Sequence, residues 1–132
     1  MWKFIVWGCF FSVVAAGCMS RPEIPQTASV MEIVQKAQTA TDRDRYNLAI
    51  YYYSAIQERF PFDAAALCLA QYEIAHIHYK QKKYSLAKSE LEELLLRYEQ
   101  RGSALLPQEY KTLGNIVLKK IAQKIKQINL VS

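Results

Sequence analysis

A chain of 132 residues with a formal charge of +5 and 52% hydrophobic residues has material for one domain of modest size. Four glycines and four prolines, against abundant alanine, leucine, lysine, glutamate and glutamine from residue 28 onward, give an all-helical composition. Three cysteines are too few for a disulfide scaffold, and no glycine-rich phosphate loop, Ser/His/Asp ordering or paired-cysteine motif is present, so the chain reads as a non-enzyme.

The first element is a leader outside the fold. An almost wholly apolar run from Phe4 to Val14 follows Lys3 and ends in Ala15-Ala16-Gly17-Cys18. At about eleven residues it is too short to span a bilayer, which takes about 20. Its small-residue end reads as a processing site, so residues 1–17 are expected to be a signal peptide. Val14-Ala15-Ala16-Gly17-Cys18 resembles a bacterial lipobox, with Ala15 where that motif prefers leucine. The resemblance implies acylation of Cys18, a lipid anchor, and a periplasm-facing place in the bacterial cell envelope. Met19, in place of aspartate, favours the outer membrane by the same resemblance. Ordinary signal cleavage near Gly17 is the alternative. Residues 18–28, with Pro22 and Pro25, cannot form a regular helix and are expected to act as a tether holding the domain off a bilayer. The domain itself, 29–132, keeps only Cys68, which reads as a small buried apolar residue.

Ser29, with Glu32 three residues on, is a capping-box pattern and starts a first helix over 29–40, with Met31, Ile33, Val34 and Ala37 inward. Asp42–Arg45 is a turn. A second helix, from about Arg43 to Arg59, carries Tyr46, Ala49, Ile50, Tyr53 and Ile56 at three- and four-residue spacing and is stopped by Pro61. In the run Tyr51-Tyr52-Tyr53, Tyr53 belongs to the core and Tyr51 is expected to be partly exposed. Asp63 caps a third helix to about Gln81, with Leu67, Ala70, Ile74, Ala75 and His78 on its packing side. The short connection Gln81–Lys83 forces an antiparallel partner over 84–99. Glu90, Glu92 and Glu93 on that partner read as a solvated face. A fifth helix begins near Pro107 and runs to Asn129 as a cap, with Leu113, Val117, Ile121, Ile125 and Ile128 on its apolar face and Gly114 in close contact with the fourth helix. Its portion past Lys120 outruns the body and offers Ile125 and Ile128 to a partner or a lipid surface.

Two stretches repeat. Tyr46, Ala49, Tyr53 and Pro61 are matched 38 residues on by Tyr84, Ala87, Leu91 and Glu99, and Ala37, Ala75 and Gly114 stand at offsets of 38 and 39. This spacing resembles the tetratricopeptide repeat, with Glu99 where that family has proline and Gln71 where it has an aromatic. His78 to Ala87 resembles the middle of such a unit. Glu58-Arg59-Phe60-Pro61-Phe62 resembles a junction in BamD-type outer-membrane assembly lipoproteins, which also have a lipidated N-terminal cysteine but about twice as many units. The resemblance covers roughly Met31–Asn129 and implies about two and a half repeats, five helices in antiparallel pairs, with Leu113 and Gly114 among the packing positions.

In that family the first helix of each pair lines a concave groove. The resemblance therefore implies a partner-binding groove of Leu69, Tyr72, Glu73, His76, Tyr79 and Lys80, flanked by Gln35 and Gln38 on one side and Lys111, Asn115 and Lys119 on the other. A mixed polar, aromatic and basic surface suits an extended peptide. His76 and His78, two apart on a helix, point to nearly opposite sides and do not share a metal. The expected role is a non-catalytic adapter for an envelope protein, without cofactor, metal or nucleic acid. The alternatives are a peptide- or small-ligand-binding component of an envelope uptake system and an oligomer formed through the last helix.

Overall fold

The computed structural model describes residues 21–131, so the expected signal peptide and Cys18 lie outside the described residues. The described chain is all-α. In order it forms α1 (Val30–Asp42), α2 (Tyr46–Arg59), α3 (Ala64–Lys80), α4 (Tyr84–Arg97), a 3-10 turn at Ser103–Leu105, and α5 (Gln108–Val131).

Caps fix the starts of α1 and α3. The Ser29 hydroxyl accepts from the Glu32 N–H at 3.3 Å while the Glu32 carboxylate accepts from the Ser29 N–H at 2.7 Å. The Asp63 carboxylate likewise accepts from the Ala66 N–H at 2.9 Å, satisfying a donor that a helix start leaves open.

The turns inside α1–α2 and α3–α4 have the same geometry. Asp44 (φ 55) and Lys82 (φ 61) are left-handed. Asp44 N–H donates to the Thr41 carbonyl and Arg45 N–H to that of Ala40; Lys82 N–H donates to Tyr79 and Lys83 N–H to His78. Each is a Schellman closure, which normally uses glycine. The pattern recurs 38 residues apart, the interval of the side-chain repeat. It also explains why α2 begins at Tyr46 rather than near Arg43: residues 43–45 are spent closing α1. Such short connections reverse the chain, so the α1–α2 turn, the α3–α4 turn and the far end of α5 lie at one end of the molecule.

The core is continuous through α3 and forms two clusters. One joins Ile33, Val34 and Ala37 to Ala49, Tyr53, Ile56, Ala70 and Ile77. The other joins Cys68, Tyr72 and Ala75 to Ala87, Leu91, Leu94, Val117 and Ile121. Ala37, Ala49, Ala75 and Ala87 are fully buried, as the close approach of paired helices requires. Tyr46 and Tyr84 are half-buried, Tyr46 donating its hydroxyl to Asp44 across the turn at 2.8 Å. Cys68 is buried and unpaired. Tyr53 is buried and Tyr51 is partly exposed.

Several inward assignments are corrected. Met31 is 74% exposed, because α1 turns Ile33, Val34, Ala37 and Ala40 inward. On α3, Ile77 is buried while Leu67, Ile74 and His78 are half-buried. Pro61 is exposed and lies in the turn beyond the Phe60 cap, outside both core clusters. Leu113 is 37% exposed. The inner face of α5 is set by Gly114, Val117 and Ile121, and Leu113 sits about 100° around from Gly114; Leu118 packs in its place. A methyl placed on Gly114 would meet Leu95, Leu91 and Leu94 of α4 at 3.6–4.0 Å, ordinary contact, so α5 approaches α4 closely there without excluding alanine.

Residues 21–28 do not hang free. Ile24 is buried in the first cluster, the Arg59 guanidinium donates to the Ile24 and Pro25 carbonyls at 2.8 Å each, and the Tyr51 hydroxyl donates to the Pro22 carbonyl at 3.1 Å. The Arg21 guanidinium lies 5.4 Å from the centre of the Tyr51 ring. From Ser29 the segment therefore runs back along α2, from Arg59 past Tyr51, toward the end that carries the α1–α2 turn.

Candidate functional site

One face of α3 carries a row of aromatic rings. Tyr72 and His76 stack at 5.5 Å, His76 and Tyr79 at 6.2 Å, and Tyr79 meets Tyr84 of α4 at 5.9 Å. Residues spaced three and four apart share a helix face, so the row follows from the α3 sequence; what the sequence did not reveal is its lid. Tyr110 of α5 covers Tyr72 at 5.7 Å. As a result Tyr72 is only 6% exposed and belongs to the core, not to an open groove. Leu69 is half-buried against the first cluster.

The remaining predicted groove residues separate. Glu73, His76 and Tyr79 are half-buried along the row and Lys80 is exposed at its end. Gln38, Lys111, Asn115 and Lys119 are exposed, and Asn115 donates its amide to the Lys111 carbonyl at 2.8 Å. The charge from α5 that reaches His76 is Lys120. Gln35 lines a different depression, of about 550 Å³, shared with Pro22, Lys36, Arg43, Arg45 and Tyr52. The family frame behind Lys119 and Gln35 fixes a helix face but not how far a neighbouring helix is rotated.

Burial sets the titration of the row. It raises the Glu73 carboxyl, with Lys80 pulling it back, and lowers the His76 imidazole, helped by Lys80 and Lys120. The Tyr53 and Tyr72 phenols are pushed up, first by burial and then by Glu73. The two linkages have opposite signs. A raised carboxyl keeps its proton in the native state after the unfolded chain has lost it, so Glu73 erodes stability as pH rises past about 4.5. A lowered imidazole refuses a proton that the unfolded chain accepts, so His76 erodes stability as pH falls below about 6.5. Glu73→Gln is therefore expected to raise the melting temperature at neutral pH, with the gain vanishing below the ordinary carboxylate range. Thermal melts across that pH range check it; an unchanged difference at acid pH would contradict the assignment.

Polar links join the helices elsewhere. Gln71 accepts from the Arg97 guanidinium at 2.6 Å, and His78 faces Glu90 at 2.7 Å, both between α3 and α4. Glu90 is therefore not part of a solvated face, and Gln71 uses a hydrogen bond where the repeat pattern has an aromatic. The Tyr98 hydroxyl donates to the Pro107 carbonyl at 2.7 Å and pins the connector to α5. Among the described residues no group of three His, Cys, Asp or Glu side chains is placed to hold a metal, and no helix is long and apolar enough to cross a membrane.

No family model matches the chain. It is 32% identical over 114 residues to an uncharacterized protein of Treponema pallidum (strain Nichols). The alignment takes in 86% of this chain and 46% of the relative, so the chain spans about half the length of the curated relative it matches. No solved structure matches. The likeness brings no activity with it, and the site has to be read from its own geometry.

Proposed function

We propose that this chain is a cell-envelope lipoprotein, anchored through Cys18, whose tetratricopeptide-like helix pairs act as a non-catalytic adapter for another envelope protein. The observation that carries the repeat reading is the recurrence, at 38 residues, of one turn geometry together with fully buried alanines at Ala37/Ala75 and Ala49/Ala87. Repeats of this kind bury a core by stacking and leave long faces for partners. The adapter is preferred over a small-ligand receptor because Tyr72, which a ligand groove would need at the surface, lies under Tyr110. What α3 does offer a partner is Glu73, His76, Tyr79 and Lys80, a short polar and aromatic strip suited to an extended peptide.

The anchor is tested by intact mass of protein purified from membranes of its host, beside Cys18→Ala. Cleavage before Cys18 with added acyl chains, lost in the variant, is the expected result. A mature mass without acyl chains would overturn the anchored reading and leave a secreted module.

A further inference from the structure

The end of the molecule reached by α5 has a charge composition unlike the rest. Its α3–α4 turn carries Lys80, Lys82 and Lys83 with no acidic side chain, while Lys88, one turn into α4, is paired with Glu92 at 3.7 Å. The last stretch of α5, residues 119–131, carries Lys119, Lys120, Lys124 and Lys126, again with no acidic residue. The two stretches are neighbours in space. Lys88 and Glu92 of α4 share an apolar depression with Leu118, Ile121, Ile125 and Leu130 of α5, and Lys120 acts on His76 near the end of α3. The α1–α2 turn at this end is balanced, Arg43 and Arg45 against Asp42 and Asp44, so the excess charge is the lysines'.

Past Ile121, α5 buries nothing fully. Ile125 is half-buried, while Leu130 is 76% and Val131 90% exposed. Ile125 still packs against the second cluster, and at 1.5 Å per residue the six residues after it extend about 9 Å. A helix end with exposed aliphatic side chains among lysines and no acid is the chemistry of a segment that lies in an anionic lipid interface. A second copy fits worse, since two such ends would bring lysine against lysine.

The N-terminal segment points the same way. Arg21 sits at Tyr51 and Pro22 beside Arg43 and Arg45, at the same end. Three chain steps from Arg21 back to Cys18 reach at most about 10 Å.

We propose that this lysine-rich end, with the projecting tip of α5, docks on the surface of an anionic phospholipid bilayer. The inference takes from the proposed function only that the protein meets a bilayer. Anchor and docking face then hold one fixed orientation, with the α2–α3 turn and the α4–α5 connector facing away.

The test is partition of the full chain between buffer and vesicles of phosphatidylcholine, alone or mixed with phosphatidylglycerol. A lysine near an anionic surface adds about fivefold to binding, so Lys124→Gln with Lys126→Gln is expected to lower partition into the mixed vesicles by roughly 25-fold and leave the neutral ones unchanged. Leu130→Glu with Val131→Glu should weaken both. These side chains are exposed, and an unchanged thermal melt verifies the fold. Equal partition of the wild-type chain into both vesicles, or no response to the lysine changes, would overturn the proposal. So would a dimer in vesicle-free buffer that Leu130→Glu converts to monomer, since the tip would then serve a second copy. Loss of acylation at Cys18 would leave the lysine effect intact, so the two readings fail separately.

Discussion

Leu91→Ala is expected to remove about 2–5 kcal/mol of stability, whereas Leu113→Ala should cost less than about 1 kcal/mol. Leu91 is fully buried in the cluster that α3, α4 and α5 share, and its side chain lies, with those of Leu94 and Leu95, against Gly114 of α5. Truncating it leaves a cavity that two helix backbones cannot both move to fill. In a domain of this size the total is about 5–15 kcal/mol, and each kcal/mol shifts the melting temperature by about 4–8 °C. The variant should therefore melt at least about 8 °C lower. Leu113 begins the i, i+4 apolar series of α5 with Val117 and Ile121 but is 37% exposed. Chemical or thermal unfolding of the two variants side by side distinguishes the observed rotation of α5 from the one its i, i+4 leucine–valine–isoleucine series suggests. Equal losses would mean that α5 is rotated so as to bury Leu113.

Helix number, helix order and the small-residue contacts were legible because they rest on local signals. Ser29 with Glu32, Asp63, and alanines at a constant interval each specify a cap or a close approach by themselves. The rotation of α5 was not legible, because a helix with Leu113, Ile116, Val117, Leu118, Ile121 and Ile125 offers more apolar positions than one neighbour can cover. The burial of Tyr72 was hidden for a related reason. Tyr72 would stand open on α3 only if the following helices left it uncovered, and Tyr110 of α5, 38 residues downstream, closes it. The polar links were also illegible. Gln71 with Arg97, and His78 with Glu90, join residues 26 and 12 apart whose pairing depends on how α3 and α4 are rotated.

Arg59→Ala is expected to free the segment that precedes α1, and the consequence is mechanical as well as energetic. Its guanidinium is the donor to both the Ile24 and Pro25 carbonyls. Hydrogen bonds from a charged group contribute about 1.5–3 kcal/mol, and the Ile24 carbonyl, partly buried, loses its partner without full access to water. Ile24 itself is buried and would leave the first cluster with the segment. Limited digestion with a glutamate-specific protease reports the outcome: cleavage after Glu23 should be slow in the wild-type protein and fast in the variant, while cleavage within α2–α4 stays slow. Rapid cleavage after Glu23 in both proteins would show that the latch does not hold in solution. The composition of residues 18–28, with two prolines and no helix signal, suggests a flexible spacer, and eleven such residues could reach about 35 Å. Seated on α2, the same residues leave only about 10 Å of slack beyond Arg21. Under the proposed anchoring at Cys18, a closed latch would keep the domain within that reach of the bilayer, on the side where the lysines of α3–α4 and α5 lie. Under the same proposal, Arg59→Ala would lengthen the tether about threefold and free the domain to rotate.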